Sequence, residues 1–431
     1  MHAVSGMPEN HSVHRRPRLL VVGDAVAATG FARVLHSVLG HLEPDYEIHH
    51  LGVNYHGDPH DSAWKIYPAK LGGDPLGIGR LPAMIERLQP QLVLMLNDIW
   101  VLAEYMGQLG KLAQAREAKL MMYCPIEAGP IEAQTLARLE GVDRFVVYTQ
   151  FARGEIEQTL ARLREQRPDF VFPKVDVIPH GVDTGIFPAH DEDVGGEAYS
   201  SGRLRALRAL YGDDPAFRRP FIVLNANRNQ PRKRIDITIK GFALFAAGKP
   251  DDVKLHLHMG VEDAGWNIVT LANRHGIADR LILTAQDNNI PSVPVEQLRD
   301  IYTAALVGIN TSTSEGWGLV NFEHAATGAA QIVPRHSACA ELWDGAAMML
   351  EPAMSLTNEK ILTEGKLVTP EAVADALEKL YADRDLLRDM SIAAYRVATR
   401  PDYRWANVAR RWHSLFQETL KSVGRCAGRE A

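Results

Sequence analysis

The chain has 431 residues, of which 46% are hydrophobic and 23% are charged, and its net charge is −6. This length exceeds what one compact core accommodates, so two domains are expected, and the composition is that of an ordinary globular protein. The weakly acidic charge excludes an electrostatic footprint for nucleic acid or for an anionic membrane.

The three cysteines, Cys124, Cys339 and Cys426, are far apart and odd in number. They fit neither a disulfide framework nor a zinc site, which predicts a reducing, cytoplasmic environment. The polar segment 1–17 lacks the apolar centre of a signal peptide and is interpreted as a disordered leader. No apolar run reaches the ~18–20 residues of a spanning helix, so any membrane attachment is expected to be peripheral.

Residues 18–187 alternate short apolar runs with amphipathic stretches. The first run, Arg18–Gly23, leads through a short loop to Gly30 and then to a predicted helix. This rhythm predicts a doubly wound parallel sheet that binds ligands at the carboxyl ends of its strands. Asn97 and Asp98 directly follow a strand-like run and are therefore expected to face the cleft.

A change of composition separates two halves of the chain. Pro179 and Gly181 suit a strand that stops and bends as the chain leaves one domain. Residues 188–218 are rich in Asp, Gly, Arg and Ser and are interpreted as a linker with one short helix. The strand–helix alternation then resumes in residues 219–402, the predicted second domain, and residues 403–431 contain one last helix.

The most informative stretch lies in this second domain. The apolar run Ala304–Ile309 is typical of a buried parallel strand, and a Gly-rich polar turn separates it from an amphipathic helix ending near Gly328. A helix that opens on such a loop offers free N–H groups and a positive dipole end, which together bind anions.

Two carboxylates bracket this predicted anion site. Glu315 precedes the helix, and Glu323 lies inside it, eight positions later. At ~1.5 Å per residue, Glu323 is expected roughly 6–8 Å from the loop, about the span between a diphosphate and a ribose diol. An anion site with a diol acceptor on each side has the outline of a nucleotide-sugar site.

The string EGWGL at 315–319, followed by Glu323, resembles the donor site of retaining glycosyltransferases of family 4. These enzymes are relatives of bacterial glycogen synthases and sucrose synthases, and their signature is two glutamates separated by seven residues. The resemblance implies that the donor is bound by Gly30, Gly316, Trp317, Gly318, Leu319 and Glu323, with Glu315 as a catalytic residue.

The same resemblance implies a GT-B fold, in which two doubly wound Rossmann-like α/β domains face each other across a cleft. The first domain would bind a carbohydrate or other small hydroxyl acceptor, with Asn97 and Asp98 on that side. The second would bind a nucleotide-diphosphate sugar, and the last helix would cross back onto the first domain. Family members retain the anomeric configuration by front-face attack and require neither a metal ion nor a cofactor.

The basic loop 228–234 follows the first strand of the second domain. Members of the resembled family place an arginine and, about five residues later, a lysine over the donor phosphates. Arg228 and Lys233 fit this pattern. Cations there offset the charge that develops on the departing diphosphate.

One position departs from the family. Relatives carry a histidine after a strand of the first domain, near the reacting centre, whereas this chain has the loop Cys124–Pro130 without histidine. Glu127 is its only ionisable side chain apart from the cysteine, and we interpret it as a replacement for the histidine. The alternative is a solvated loop residue.

Two other functions remain possible for the same scaffold: a nucleotide-sugar 2-epimerase and a non-catalytic nucleotide-sugar binding protein. Intact Arg228, Lys233, Glu315 and Glu323 argue against a loss of catalysis, and the Gly-Trp-Gly-Leu string argues against the epimerase. The base, the donor sugar, the acceptor and the oligomeric state are left open by these motifs.

Overall fold

The computed structural model describes residues 15–27, 29–110, 117–189, 197–285 and 291–422. Most of the expected leader and the seven residues 190–196 of the expected linker lie outside these ranges, as does Cys426. Cys124 and Cys339 are buried and unpaired. Within the part of the chain that the structure describes, no helix is both long and apolar enough to cross a membrane.

The first sheet is parallel and, over the described residues, has seven strands in the order β3-β2-β1-β4-β5-β6-β7. Its strands are β1 Arg18–Asp24, β2 Glu47–Val53, β3 Lys65–Pro68, β4 Leu92–Leu96, β5 Lys119–Cys124, β6 Arg144–Val147 and β7 Val175–Val177. The central strands are buried along their length because helices cover both faces of the sheet. The strand order reverses between β1 and β4, and this reversal opens a crevice at their carboxyl ends.

Hydroxyl side chains cap two of the five helices described in this first unit. The helices are α1 Gly30–Leu42, α2 Leu81–Leu88, α3 Ile99–Leu109, α4 Ala133–Ala137 and α5 Gln150–Gln166. Thr29 caps α1 by accepting a hydrogen bond from the Ala32 amide at 3.2 Å, and Thr149 caps α5 in the same way. These caps place the first turns of α1 and α5 at the carboxyl edge of the sheet.

The second sheet is also parallel, and its strand order is β10-β9-β8-β11-β12-β13. Its strands are β8 Phe221–Asn225, β9 Val253–Leu257, β10 Leu281–Leu283, β11 Val307–Ile309, β12 Ala330–Pro334 and β13 Met348–Leu350. Here the order reverses between β8 and β11, so the basic loop and the Gly-rich loop emerge side by side. The doubly wound α/β architecture expected from the sequence is confirmed for both units.

The remaining elements surround this second sheet. The helices are α6 Ser201–Tyr211, α7 Ile235–Ala246, α8 Ile268–Arg274, α9 Val295–Ala304, α10 Leu319–Ala326, α11 Ser337–Trp343, α12 Pro370–Ala382 and α13 Arg384–Ala398, and the last helix is α14 Trp405–Lys421. A separate antiparallel hairpin joins β14 Met354–Thr357 to β15 Glu364–Leu367. The sequence did not indicate this hairpin because its first strand is short and exposed.

The strand predicted over Ala304–Ile309 is shorter than expected. Ala304 is the last residue of α9, and only Val307–Ile309 pair in the sheet. The buried end of the helix, the turn and the buried strand are all apolar, so hydrophobicity alone does not separate them.

The last helix, α14, packs against the first unit. The Phe416 ring lies edge-on to Tyr46 at 5.4 Å, and the Trp412 ring lies edge-on to Tyr123 at 4.9 Å. Just before this helix, the Tyr403 carbonyl accepts a hydrogen bond from the Val182 amide at 2.7 Å. The chain therefore crosses between the two units at Val182 and again at Tyr403.

Candidate active site

The Gly-rich loop connects β11 to α10 and is held by its own side chains. The Asn310 side chain accepts a hydrogen bond from the Ser312 amide at 2.8 Å and donates one to Asn321 at 3.0 Å. Gly318 precedes the helix with a φ of +88°, a conformation that strongly favours glycine. The backbone at the start of α10 is thus fixed before any ligand binds.

Lys233 and Glu315 form a buried ion pair below this loop. Glu315 also accepts hydrogen bonds from Asn310 at 3.3 Å and from the Ser312 hydroxyl at 3.4 Å. Burial by itself raises the pKa of Glu315, but the charges of Lys233 and Arg232 outweigh it and hold that pKa at about 2. Glu315 is therefore a carboxylate at neutral pH.

Arg232 connects this pair to the first unit, and the sequence did not single it out. Its Nη2 lies 2.9 Å from Glu127 Oε1, and its Nη1 lies 3.9 Å from Glu315 Oε1. Nη1 also donates a hydrogen bond to the Ser314 carbonyl at 3.1 Å. The sequence does not distinguish Arg232 from the other basic residues of this loop, because the 3₁₀ turn Pro231–Lys233 that orients its side chain is seen only in the structure.

Glu127 reaches this cluster from the loop that follows β5. Burial raises the pKa of Glu127, and the adjacent charge of Arg232 opposes that rise. A Cβ atom on Gly316 would lie 3.5 Å from Glu127 Cγ, so this glycine of the Gly-rich loop packs directly against the glutamate. The structure thus places Glu127 beside the Gly-rich loop.

Asn97 and Asp98 stand at the carboxyl end of β4, where the first sheet reverses. The Asn97 side chain accepts a hydrogen bond from the Asp98 amide at 2.9 Å. Burial raises the pKa of Asp98, while the charge of Arg232 lowers it and that of Asp24 raises it further. Asp98 therefore belongs to the first unit, like Glu127, and lies within electrostatic range of Arg232 from the second unit.

A second contact between the units involves the first turns of α1 and α10. A Cβ atom on Gly30 would lie 3.6 Å from Leu319 Cδ1, so the start of α1 abuts the start of α10. One turn into each helix, Arg33 forms an ion pair with Glu323, and Tyr302 donates a hydrogen bond to the other oxygen of Glu323 at 3.3 Å. Gly30, Leu319 and Glu323, three of the predicted donor-binding residues, therefore lie in the same region of the cleft.

Arg228 and Trp317 stand apart from this arrangement. Among the described residues the ion-pair partner of Arg228 is Asp263, at 3.1 Å from Nη2, and its side chain is 45% exposed. The Trp317 ring is buried, stacks on Phe322 at 4.7 Å and meets Tyr403 edge-on at 5.2 Å. Trp317 therefore reaches a ligand only through its backbone, and its ring joins the two units.

Residues 213–397, which carry the Gly-rich loop, match the family model of Glycosyl transferases group 1. The chain is 31% identical over 189 residues to a D-inositol 3-phosphate glycosyltransferase of Segniliparus rotundus, an alignment that covers 43% of this chain and 35% of that protein. The D-inositol 3-phosphate glycosyltransferase 2 of Catenulispora acidiphila is 24% identical over 280 residues, an alignment that covers 62% of each chain. The chain spans about a third to a half of the first curated relatives it matches.

Solved structures share the whole fold at low sequence identity. A sucrose-phosphate synthase from Thermosynechococcus elongatus superposes with a TM-score of 0.65 and 16% identity, over 95% of this chain and all of that chain. The Anabaena protein HepE, solved in complex with UDP-glucose, superposes with a TM-score of 0.64 and 14% identity, over 94% of this chain and 99% of that chain. The fold is therefore that of GT-B glycosyltransferases, and the second unit carries the group 1 signature.

Proposed function

We propose that this chain is a retaining glycosyltransferase of the family 4 type, which moves a sugar from a nucleotide-diphosphate sugar to an acceptor hydroxyl. The match of residues 213–397 to Glycosyl transferases group 1 supports the reaction class. The observation that carries the proposal is Arg232, which links Glu315 of the donor loop to Glu127 of the first unit. Glu315, proposed to bind the donor, and Glu127, on the proposed acceptor side, thereby lie next to each other.

In the proposed front-face step, the acceptor oxygen bonds to the anomeric carbon while the bond from that carbon to the diphosphate oxygen breaks. The acceptor proton passes to the departing diphosphate. Lys233 and the amides near Gly318 and Leu319 offset the charge on that leaving group, and we assign Arg228 the same role, for which it exchanges its partner Asp263 for a phosphate. Glu127 supports the positive charge that develops at the anomeric carbon. These cations allow the step to proceed without a metal ion or a cofactor.

The division of labour follows the two units. Residues 219–402 bind the donor, with Glu323 on the ribose diol and Glu315 on the sugar. Residues 18–187 bind a carbohydrate or other small hydroxyl compound, with Asn97 and Asp98 on that side. Cytoplasmic nucleotide sugars are the expected donors, in keeping with two buried, unpaired cysteines.

A panel of UDP-, GDP- and ADP-sugars tests donor binding by thermal stabilisation. A ligand at about 100 times its dissociation constant adds about 2.7 kcal/mol to the free energy of unfolding. Stabilisation by one nucleotide class is the expected result. A flat response to all three classes contradicts the proposal.

Incubation with the bound donor alone then separates the possible functions. An epimerised donor identifies a 2-epimerase, release of nucleotide and free sugar identifies a transferase that uses water, and an unchanged donor is expected of a non-catalytic binder. NMR of the anomeric proton of the transfer product tests retention. An inverted product contradicts the front-face step.

A further inference from the structure

A groove of about 380 Å³ lies beside Glu127, between the two units. One wall is the face of α5 that runs from Phe151 to Arg162, and Glu364 and Lys366 of the β14–β15 hairpin form another. Its volume is within the range of about 300–1,000 Å³ that is common for small-molecule sites. Glu127 lines this groove and pairs with Arg232 at 2.9 Å, so a molecule bound there lies next to the Arg232–Glu315 cluster.

The hairpin wall is fastened to both units by backbone hydrogen bonds. The Glu364 amide donates to the Gly129 carbonyl of the first unit at 2.7 Å, and the Lys366 amide donates to the Thr313 carbonyl at 2.8 Å. A Cβ atom on Gly365 would lie 3.1 Å from Thr313 Cβ, so glycine allows the hairpin to lie flat against the donor loop.

The α5 wall is also held across the boundary. The Glu341 carboxylate, on α11, accepts hydrogen bonds from the Gln150 amide at 3.0 Å and from the Phe151 amide at 2.6 Å. A carboxylate at this position satisfies free N–H groups of the helix and complements its dipole. Both walls are therefore formed in the structure before a ligand enters.

The lining suits hydroxyl groups. A Cβ atom on Gly129 would lie 1.6 Å from the Glu155 carboxylate, which therefore faces the groove directly over this glycine. The side chains of Glu155, Gln158 and Arg162 line the groove and supply a carboxylate acceptor and amide and guanidinium donors. Phe151, which also lines the groove, offers an aromatic face to the C–H face of a sugar ring.

The charges at this groove are close to balanced. The ionisable lining consists of three carboxylates, Glu127, Glu155 and Glu364, two cations, Arg162 and Lys366, and His336. Burial lowers the pKa of His336 to about 4, so it is neutral at pH 7. Glu127 is paired with the cation Arg232 at 2.9 Å, so carboxylates and cations are equal in number here, whereas cations dominate a phosphate site.

We infer that this groove is the acceptor subsite, that it takes a neutral, hydroxyl-rich ring such as a saccharide or a cyclitol, and that the β14–β15 hairpin selects its shape. This inference rests on the proposed function. The bound ring would direct one hydroxyl to Glu127, while Glu155, Gln158, Arg162 and Lys366 hold the hydroxyls further out.

Saturation-transfer NMR tests this with methyl α-D-glucopyranoside, myo-inositol and maltose as probes and myo-inositol monophosphate as the charged comparison. UDP or GDP is present at saturation. We expect at least one neutral probe to bind, and to bind no more weakly than the monophosphate. Arg162→Ala, Lys366→Ala and the groove-filling Gln158→Trp should each reduce the signal of that probe at least fivefold.

Arg153→Ala is the matched control, because Arg153 lies on the same helix and pairs with Glu157 at 2.7 Å outside the groove. It should leave the probe signal unchanged, and all four variants should keep the wild-type affinity for the nucleotide. Wild-type protein that binds the nucleotide but no neutral probe overturns the inference, as do groove variants with an unchanged signal or a clear preference for the monophosphate. Wild-type protein that binds none of UDP, GDP and ADP contradicts the proposed function itself.

Discussion

Arg33 and Glu323 form an ion pair across the cleft, although they belong to different units and lie 290 positions apart in the chain. The Glu323 side chain is 5% exposed, whereas that of Arg33 is 45% exposed. The Tyr302 hydroxyl donates a hydrogen bond to the other carboxylate oxygen of Glu323 at 3.3 Å. A ribose diol that uses Glu323 as its acceptor must therefore compete with Arg33 for this carboxylate.

Arg33→Ala is expected to tighten the binding of the nucleoside diphosphate threefold to tenfold, or about 1 kcal/mol, because it removes this competitor. Isothermal titration calorimetry with UDP and GDP measures the change. Arg153→Ala, which also removes one positive charge from the first unit, should leave the affinity unchanged. Weaker binding by Arg33→Ala would mean that the arginine contacts the nucleotide instead.

Glu315, in the Gly-rich loop, and Glu323, in α10, should respond differently to replacement by glutamine. Glu323→Gln is expected to weaken the binding of the nucleoside diphosphate by ~1.5–3 kcal/mol, because the ribose loses a charged acceptor. Glu315→Gln should leave that affinity largely intact and reduce the binding or turnover of the sugar donor. Calorimetry with both ligands compares the variants, and identical behaviour would contradict the assigned roles.

Arg228→Ala and Lys233→Ala should each lower turnover by ~10²-fold or more, because each removes a cation from the developing charge on the diphosphate. Lys233→Ala should also reduce thermal stability, since it leaves the buried carboxylate of Glu315 without its partner. Lys240→Ala, a half-exposed lysine on α7, is the control. Steady-state kinetics with wild-type turnover in both variants would rule out the phosphate role.

Glu127→Gln is expected to lower turnover at least tenfold, about 1.4 kcal/mol, with nearly unchanged donor affinity. The reason is its position beside the donor loop and its pairing with Arg232. Glu132→Gln, an exposed position shortly after the same loop, serves as the control. Normal turnover in Glu127→Gln would shift attention to Asp98, the other carboxyl group on this side of the cleft.

Acid should weaken the contribution of Glu315 to stability. Its pKa falls from an ordinary value of 4.5 to about 2 in the folded chain, so its contribution is complete above pH 4.5 and is lost as the pH falls towards about 2. The destabilisation caused by Glu315→Gln should therefore shrink by roughly 3 kcal/mol over that interval. Urea unfolding at a series of pH values measures it, with Glu86→Gln, at an exposed position, as the control.

Much of the fold could be predicted from local patterns. The apolar runs identified most of the central strands, and Gly318 before an amphipathic helix identified the donor loop, because a glycine with positive φ and free helix amides are local properties. The exposed strand β14 lacked such a pattern, and the apolar run at Ala304–Ile309 combined a helix end with a strand.

The sequence by itself determined which residue types are present at the loop ends: the Glu315–Glu323 pair, the basic run that contains Lys233, and Glu127. Only the tertiary structure decided which of them meet. It selected Arg232 within the basic run to bridge Glu127 and Glu315, turned Arg228 to Asp263, and buried the Trp317 ring against Phe322. Side-chain direction depends on backbone turns and on partners contributed by the other sheet, which lie far away in sequence, so residue spacing carries no record of these contacts.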